Sequence, residues 1–265
     1  MRIAVLFCLM FAGFGQAWAN VSLSDYRLVF EPRERLKQLY VFNNTNEDQT
    51  YRLSWVEMTM DQAGQQSEIV APQRPLNSAA KMLRLSPRQI SIPPGGSQTV
   101  KILARRPANP EFGEYRSHLK LQQLRQAQGA EDLTQALTGH SDKVSVGMSV
   151  TAAIVIPVFM RQQPSTGTEL SIEKLEMGTG DTGRVLAIDL GRSGHTSEYA
   201  DIDVYAGTSE EPLAIARGVG IYFPNEMRHF SLPLSDWSGH EPLRVVLRRH
   251  KSEQVLVEQR LQPSP

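Results

Sequence analysis

Gly178-Thr179-Gly180-Asp181-Thr182-Gly183 carries the letters of a glycine-rich phosphate cradle. Such a cradle works when it follows a strand and opens a helix whose first amides face the phosphates. Here Arg184 to Leu190 read as a strand, so the segment is expected to be a hairpin turn. Asp181-Thr182-Gly183 has the form of half an aspartic protease site, but that chemistry needs two carboxylates sharing a proton, and the triplet occurs once. The histidines, His118, His140, His195, His229, His240 and His250, never stand two or four apart. The spacing that commonly puts two ligands on one metal is therefore missing, and no metal site is assigned. Ser193, in Gly191-Arg192-Ser193-Gly194-His195, lacks the strand-turn-helix context of a nucleophile elbow. With no catalytic constellation, the chain reads as a non-enzyme without cofactor or small-molecule substrate.

Two other features carry more pattern than a plain strand needs. From Val144 to Met160 the even positions are Val144, Val146, Met148, Val150, Ala152, Ile154, Ile156, Val158 and Met160, and the odd ones begin Ser145, Gly147, Ser149 and Thr151. Unbroken, this alternation makes a strand of about 17 residues, against a usual five or six. One reading is a long core strand; the other is an apolar comb on an edge kept open for pairing, since edges not meant to pair carry charge or proline. Arg27 stands where the apolar parity of the first strand switches from odd (Val21, Leu23) to even (Tyr26, Leu28, Phe30). The switch implies a kink that turns Arg27 toward a groove; an ordinary solvent-exposed strand arginine is the alternative.

The elements around these residues are strands. Tyr51, Leu53 and Trp55 alternate with Arg52 and Ser54, and similar segments centre on Leu39, Leu83, Ile90, Val100 and Leu119. Together they give about seven or eight strands over roughly 140 residues, the count of a β-sandwich. Gln123 to Asp142 keeps no period and reads as a long mobile loop, either functional or disordered. Gln162 to Thr168 reads as a hinge, after which strand patterns resume at Val185–Leu190, Ile202–Tyr205, Leu213–Ala216, Val219–Phe223, Phe230–Leu234, Leu243–Leu247 and Val255–Leu261. The expected fold is all-β, with two immunoglobulin-like domains over residues 20–161 and 162–265.

At the N-terminus Arg2, the apolar run Ile3 to Phe14 and Ala17-Trp18-Ala19 form a secretory signal peptide over residues 1–19; a membrane anchor, the other reading, needs a longer run and a stop-transfer pattern. Cleavage removes Cys8, the single cysteine, so the exported chain holds no thiol and must rely on core burial. The 28 basic and 28 acidic residues balance, which argues against a nucleic-acid footprint.

Several segments carry a family resemblance. They are Ser24-Asp25-Tyr26-Arg27-Leu28-Val29-Phe30, Val41-Phe42-Asn43-Asn44, Tyr51 to Trp55, Leu85-Ser86-Pro87, Pro93 to Ile102, Gly113 to Leu119, and Ile156 to Arg161. In their order and spacing the chain resembles the periplasmic pilus chaperones of the chaperone-usher pathway, Gly113 to Leu119 being similar to the archaic or alternative branch. The resemblance implies two immunoglobulin-like domains set in an L. It implies that the last strand of the first domain, 143–161, lends Val144, Val146, Met148, Val150 and Ala152 to an incomplete pilus subunit, until an outer-membrane usher exchanges the strand. Arg27 falls on the arginine that holds the subunit's terminal carboxylate. Where the best-known branch has a second anchoring lysine this chain has Pro157, so Arg116 is the substitute candidate, and Arg161 is expected in an interdomain ion pair. The resemblance also leaves room for self-association through the open edge. The rival class is a structural or adhesive component of a surface fibre. Such a subunit would lack a strand and carry a donor extension, whereas Val21 opens the first sandwich almost at once. A periplasmic hydrolase would need a carboxylate pair or metal cluster that the sequence does not assemble.

Overall fold

The computed structural model describes residues 20–70, 72–124, 152–163, 167–181 and 183–262. In chain order the first strands are β1 (Val21–Leu23), β2 (Leu28–Phe30), β3 (Leu36–Asn43), β4 (Gln49–Val56), β5 (Met58–Met60), β6 (Gln66–Glu68), β7 (Leu83–Ser86), β8 (Gln89–Ile92), β9 (Ser97–Ala104), β10 (Glu114–Leu124) and β11 (Ala153–Arg161). They form a sheet β1-β3-β9-β7 packed on a sheet β2-β11-β10-β4-β8, with β5 and β6 as a separate hairpin. The alternation read from sequence places the core: Leu39, Val41, Leu53, Ile92, Val100, Ile102, Leu119, Ile156 and Val158 are buried between the sheets. Asn43 stitches the end, its side-chain amide donating to the carbonyls of Glu47, Ile92 and Pro93.

The opening strand changes sheet. β1 pairs with β3, while β2 runs parallel to β11 with Leu28 opposite Val158. Val21 and Leu23 are buried on one side of the crossing, Leu28 and Phe30 on the other, so the parity switch is the crossing itself. Tyr26, expected with the apolar set, is 59% exposed because it lies in the crossing and belongs to neither strand.

The second set comprises β12 (Leu170–Gly180), β13 (Gly183–Arg192), β14 (Glu198–Ala206), β15 (Ala214–Ile221), β16 (Met227–Pro233), β17 (Leu243–Arg249) and β18 (Val255–Leu261). Sheets β12-β13-β16 and β15-β14-β17-β18 enclose a separate core of Leu186, Ile188, Ile202, Val204, Val245 and Leu247. The molecule is thus all-β, with two immunoglobulin-like sandwiches. Gly180 pairs with Gly183, so the glycine-rich segment is a tight hairpin.

Two further expectations are corrected. The segments expected as two strands at Leu213–Ala216 and Val219–Phe223 merge into the single strand β15, Ala214–Ile221, which excludes Leu213, Tyr222 and Phe223 and is continuous through Gly218, whose φ of 67° accommodates the register shift against β14. Gln123 and Leu124, expected to begin the loop, extend β10 and pair with Tyr51 and Thr50; the remaining loop positions from 125 to 142 lie outside the described residues. Strand β12 and the β5–β6 hairpin were not expected.

Candidate functional site

The outer face of β2, β11 and β10 meets the second sandwich. Val29, Phe159 and Arg116 stand side by side across these strands, and Phe159 packs edge-on against Tyr199 of β14 and Tyr222, with centroids 6.2 and 5.4 Å away. Around this aromatic cluster lies a polar frame. Arg161 reaches Glu31 at 3.1 Å, Glu114 at 3.5 Å and Glu198 at 3.6 Å, and donates to the Ser197 carbonyl at 3.0 Å. Its partners Glu198 and Ser197 belong to the second sandwich, so Arg161 bridges the two bodies. Burial pushes the Glu114 carboxyl above its ordinary range against the pull of Ser197 and Arg161.

Arg27 lines a cleft of ≈ 200 Å³ between the sandwiches, together with Glu31, Phe159, Arg161, Glu198, Tyr199, Arg249 and His250. Its guanidinium carbon lies 3.7 Å from the centre of the Tyr199 ring. Arg249 has Glu198 at 3.0 Å and His250 has Asp201 at 2.7 Å. Among the described residues Arg27 forms no ion pair, whereas Arg161, Arg249 and His250 each have an acidic partner. Burial raises the Tyr199 phenol well above its ordinary range, with the nearby Tyr222 adding to the rise and Arg27 opposing it.

Arg116 is 9% exposed and lies over Tyr222 at 4.7 Å, with Nη2 3.4 Å from the Met58 carbonyl and Nη1 without a partner. Burial lowers its pKa, opposed by Tyr222, Glu114, Tyr199 and Glu57. It lines a different cavity, of ≈ 510 Å³, with Met58, Phe112 and Phe223. The structure therefore sets Arg27 and Arg116 in separate clefts. Pro157 pairs with His118, which is 1% exposed and has neither ring nitrogen bonded; burial, then Arg116, lower its pKa to about 3.

Of the apolar comb, Val144, Val146, Met148 and Val150 lie outside the described residues. Ala152 is exposed, and its carbonyl accepts the Gln123 amide at 3.1 Å. β11 is paired along one side by β10 from Ala153 to Arg161, but β2 covers its other side only at Val158–Met160. Among the described residues the edge from Ala152 to Pro157 carries no partner strand. Tyr199, Tyr222 and Glu198 were not anticipated as site residues, and nothing in their local sequence marks them. Among the described residues no group of His, Cys, Asp and Glu is placed to hold a metal ion.

No family model and no curated protein matches the chain. Among solved structures it is similar to the YadV chaperone, at 8% identity over 92% of this chain and 100% of that one, TM-score 0.49. It is similar to the CupB2 chaperone of Pseudomonas aeruginosa, at 11% identity over 92% and 100%, TM-score 0.48. It is also similar to a chain of the CsuC–CsuE chaperone–tip adhesion subunit pre-assembly complex of archaic chaperone-usher Csu pili of Acinetobacter baumannii, at 13% identity over 91% and 98%, TM-score 0.48.

Proposed function

We propose that the chain is an assembly chaperone for pilus subunits, exported to a periplasm by a signal peptide over residues 1–19 and built of a chaperone domain, 20–161, and a second domain, 162–265. It catalyses no reaction. One incomplete subunit at a time is capped by strand addition and then handed to an outer-membrane usher.

The observation that carries this reading is the half-open β11. Its C-terminal part, Val158–Met160, is held on both sides, whereas its N-terminal part is held on one side and runs back into the alternating row Val144 to Ala152. Free backbone N–H and C=O groups on such an edge pair with an incoming strand, and apolar side chains at every second position fill a partner's groove. Arg27, without an acidic partner, suits a terminal carboxylate, because a charge-assisted fork to a carboxylate is among the stronger hydrogen-bonded pairs.

Affinity recovery from periplasmic extract tests the reading, with native chain compared to Val150→Asp. Native chain is expected to bring down a strand-deficient subunit, and Val150→Asp none, because a charge would enter the groove unpaired. Recovery of a sugar, or of no protein, or equal recovery by both chains would overturn it.

A further inference from the structure

Arg27 occupies the crossing between β1 and β2, where the backbone is paired to neither sheet. A long side chain on such a segment has many rotamers, and fixing one costs entropy that weakens any ligand it must hold. The other cations of the cleft are fixed by acids: Arg161 by Glu31, Glu114 and Glu198, and Arg249 by Glu198. An acid would fix Arg27 too, but at the expense of its charge and of the in-plane N–H donors a carboxylate needs. A ring beneath the guanidinium has neither drawback. It engages the flat face and leaves the edges free.

Tyr199 supplies that ring at 3.7 Å, and it is itself held. Phe159 meets it edge-on with planes at 90°, Tyr222 packs at 5.6 Å, and His250 lies 6.4 Å away. Its neighbours in the chain, Ser197 and Glu198, are bound to Glu114 and Arg161 of the first sandwich.

We infer that Tyr199 is a positioning residue for Arg27: the second sandwich holds the guanidinium flat, with its edges toward the cleft, ready to take a subunit's terminal carboxylate. The inference rests on the reading of Arg27 as the carboxylate anchor. It gives the second sandwich a part in capture, since the anchor's orientation then depends on the docking of the two bodies.

The test combines variants with the subunit that co-purifies with native chain as the probe. Tyr199→Phe keeps the ring and is expected to capture like native chain. Tyr199→Leu is expected to weaken capture by roughly five- to thirty-fold, the size of a partly desolvated cation–π contact. In an Arg27→Lys background, where capture remains measurable and the side chain has no flat face for the ring to orient, the same Tyr199→Leu change should add little. An undiminished further loss in that background, or native-like capture by Tyr199→Leu, overturns the inference alone. Native-like capture by Arg27→Ala overturns the anchor reading beneath it. Should Tyr199→Leu fail to fold, the native chain still decides: the Arg27 Nε–H is expected to show the nuclear spin relaxation of a rigid side chain in the free protein, and a freely mobile signal overturns the proposal.

Discussion

The carboxylate of Glu114 and the backbone amide of Ser197 join the two sandwiches through bonds of 3.1 and 3.2 Å, with the Ser197 hydroxyl donating to the same carboxylate. Glu114 is 1% exposed, so this acid is withdrawn from water entirely and answered by two donors of Ser197 and by Arg161 at 3.5 Å. Breaking one partner of a buried charged set leaves the others desolvated and unmet, which costs about 3–5 kcal/mol. Glu114→Ala is therefore expected to loosen the docking before either core fails. Calorimetry should resolve two melting transitions in the variant where the native chain shows one, and a single unchanged transition would refute the role given to this pair.

His118 links acidity to stability. Its pKa is lowered to about 3 in the fold, by burial and then by Arg116, against an unfolded value of 6.5. A base with a lowered folded pKa binds fewer protons folded than unfolded across that window, so stability falls as pH drops from about 6.5 toward 3. Between pH 7 and pH 5 the loss from this residue is about 2 kcal/mol. His118→Leu should remove that dependence, giving nearly equal denaturant midpoints at the two pH values as far as this residue contributes. A variant that keeps the native chain's full pH slope would show the histidine to be solvated.

Arg27 tests charge against shape. Arg27→Ala is expected to fold normally and to lose stable subunit complexes, because a desolvated carboxylate without its charged partner costs a few kcal/mol. Arg27→Lys keeps the charge but not the planar fork or the flat face that Tyr199 carries, so capture should be intermediate. Equal recovery with Lys and Arg would mean that only charge matters in the cleft.

The cores were legible because burial imposes a period of two: Tyr51 and Leu53 point in, and Arg52 and Ser54 are more exposed. The crossing at Arg27 was legible for the same reason, as a change of parity. β12 escaped because a register shift between Ile172 and Lys174 breaks its period. The β5–β6 hairpin escaped because Gln66–Glu68 is wholly exposed and leaves no apolar stripe to read. It is instead fixed by tertiary bonds, Asn225 donating to the Met60 carbonyl at 2.7 Å and the His229 amide to that of Gln62 at 2.6 Å. The proposed site divides likewise. Arg27 and the Val144 to Ala152 row announce themselves locally, whereas Tyr199 meets Arg27 only because two separately folded sandwiches dock, and no local pattern encodes that contact.

Ala152 and Ile156 share one parity of one segment, and the lent-strand reading gives them opposite fates. Ile156 is 1% exposed and lies in the first core, so Ile156→Asp buries a charge with no partner and is expected to cost on the order of 4 kcal/mol, enough to unfold much of the protein. Ala152 is exposed, and its one backbone bond, from Gln123, involves the carbonyl and not the side chain. Ala152→Asp should therefore melt within a few degrees of the native chain, since surface changes are usually within about 0.5 kcal/mol. In a subunit complex the same aspartate would stand at the end of the apolar row, in a groove with nothing to answer its charge, and co-purification with the subunit should fall sharply. Thermal melts of both free variants, beside subunit recovery by Ala152→Asp, separate the two roles. Native-like recovery by Ala152→Asp would end the lent row before residue 152, and unfolding by it would make the whole alternation ordinary core.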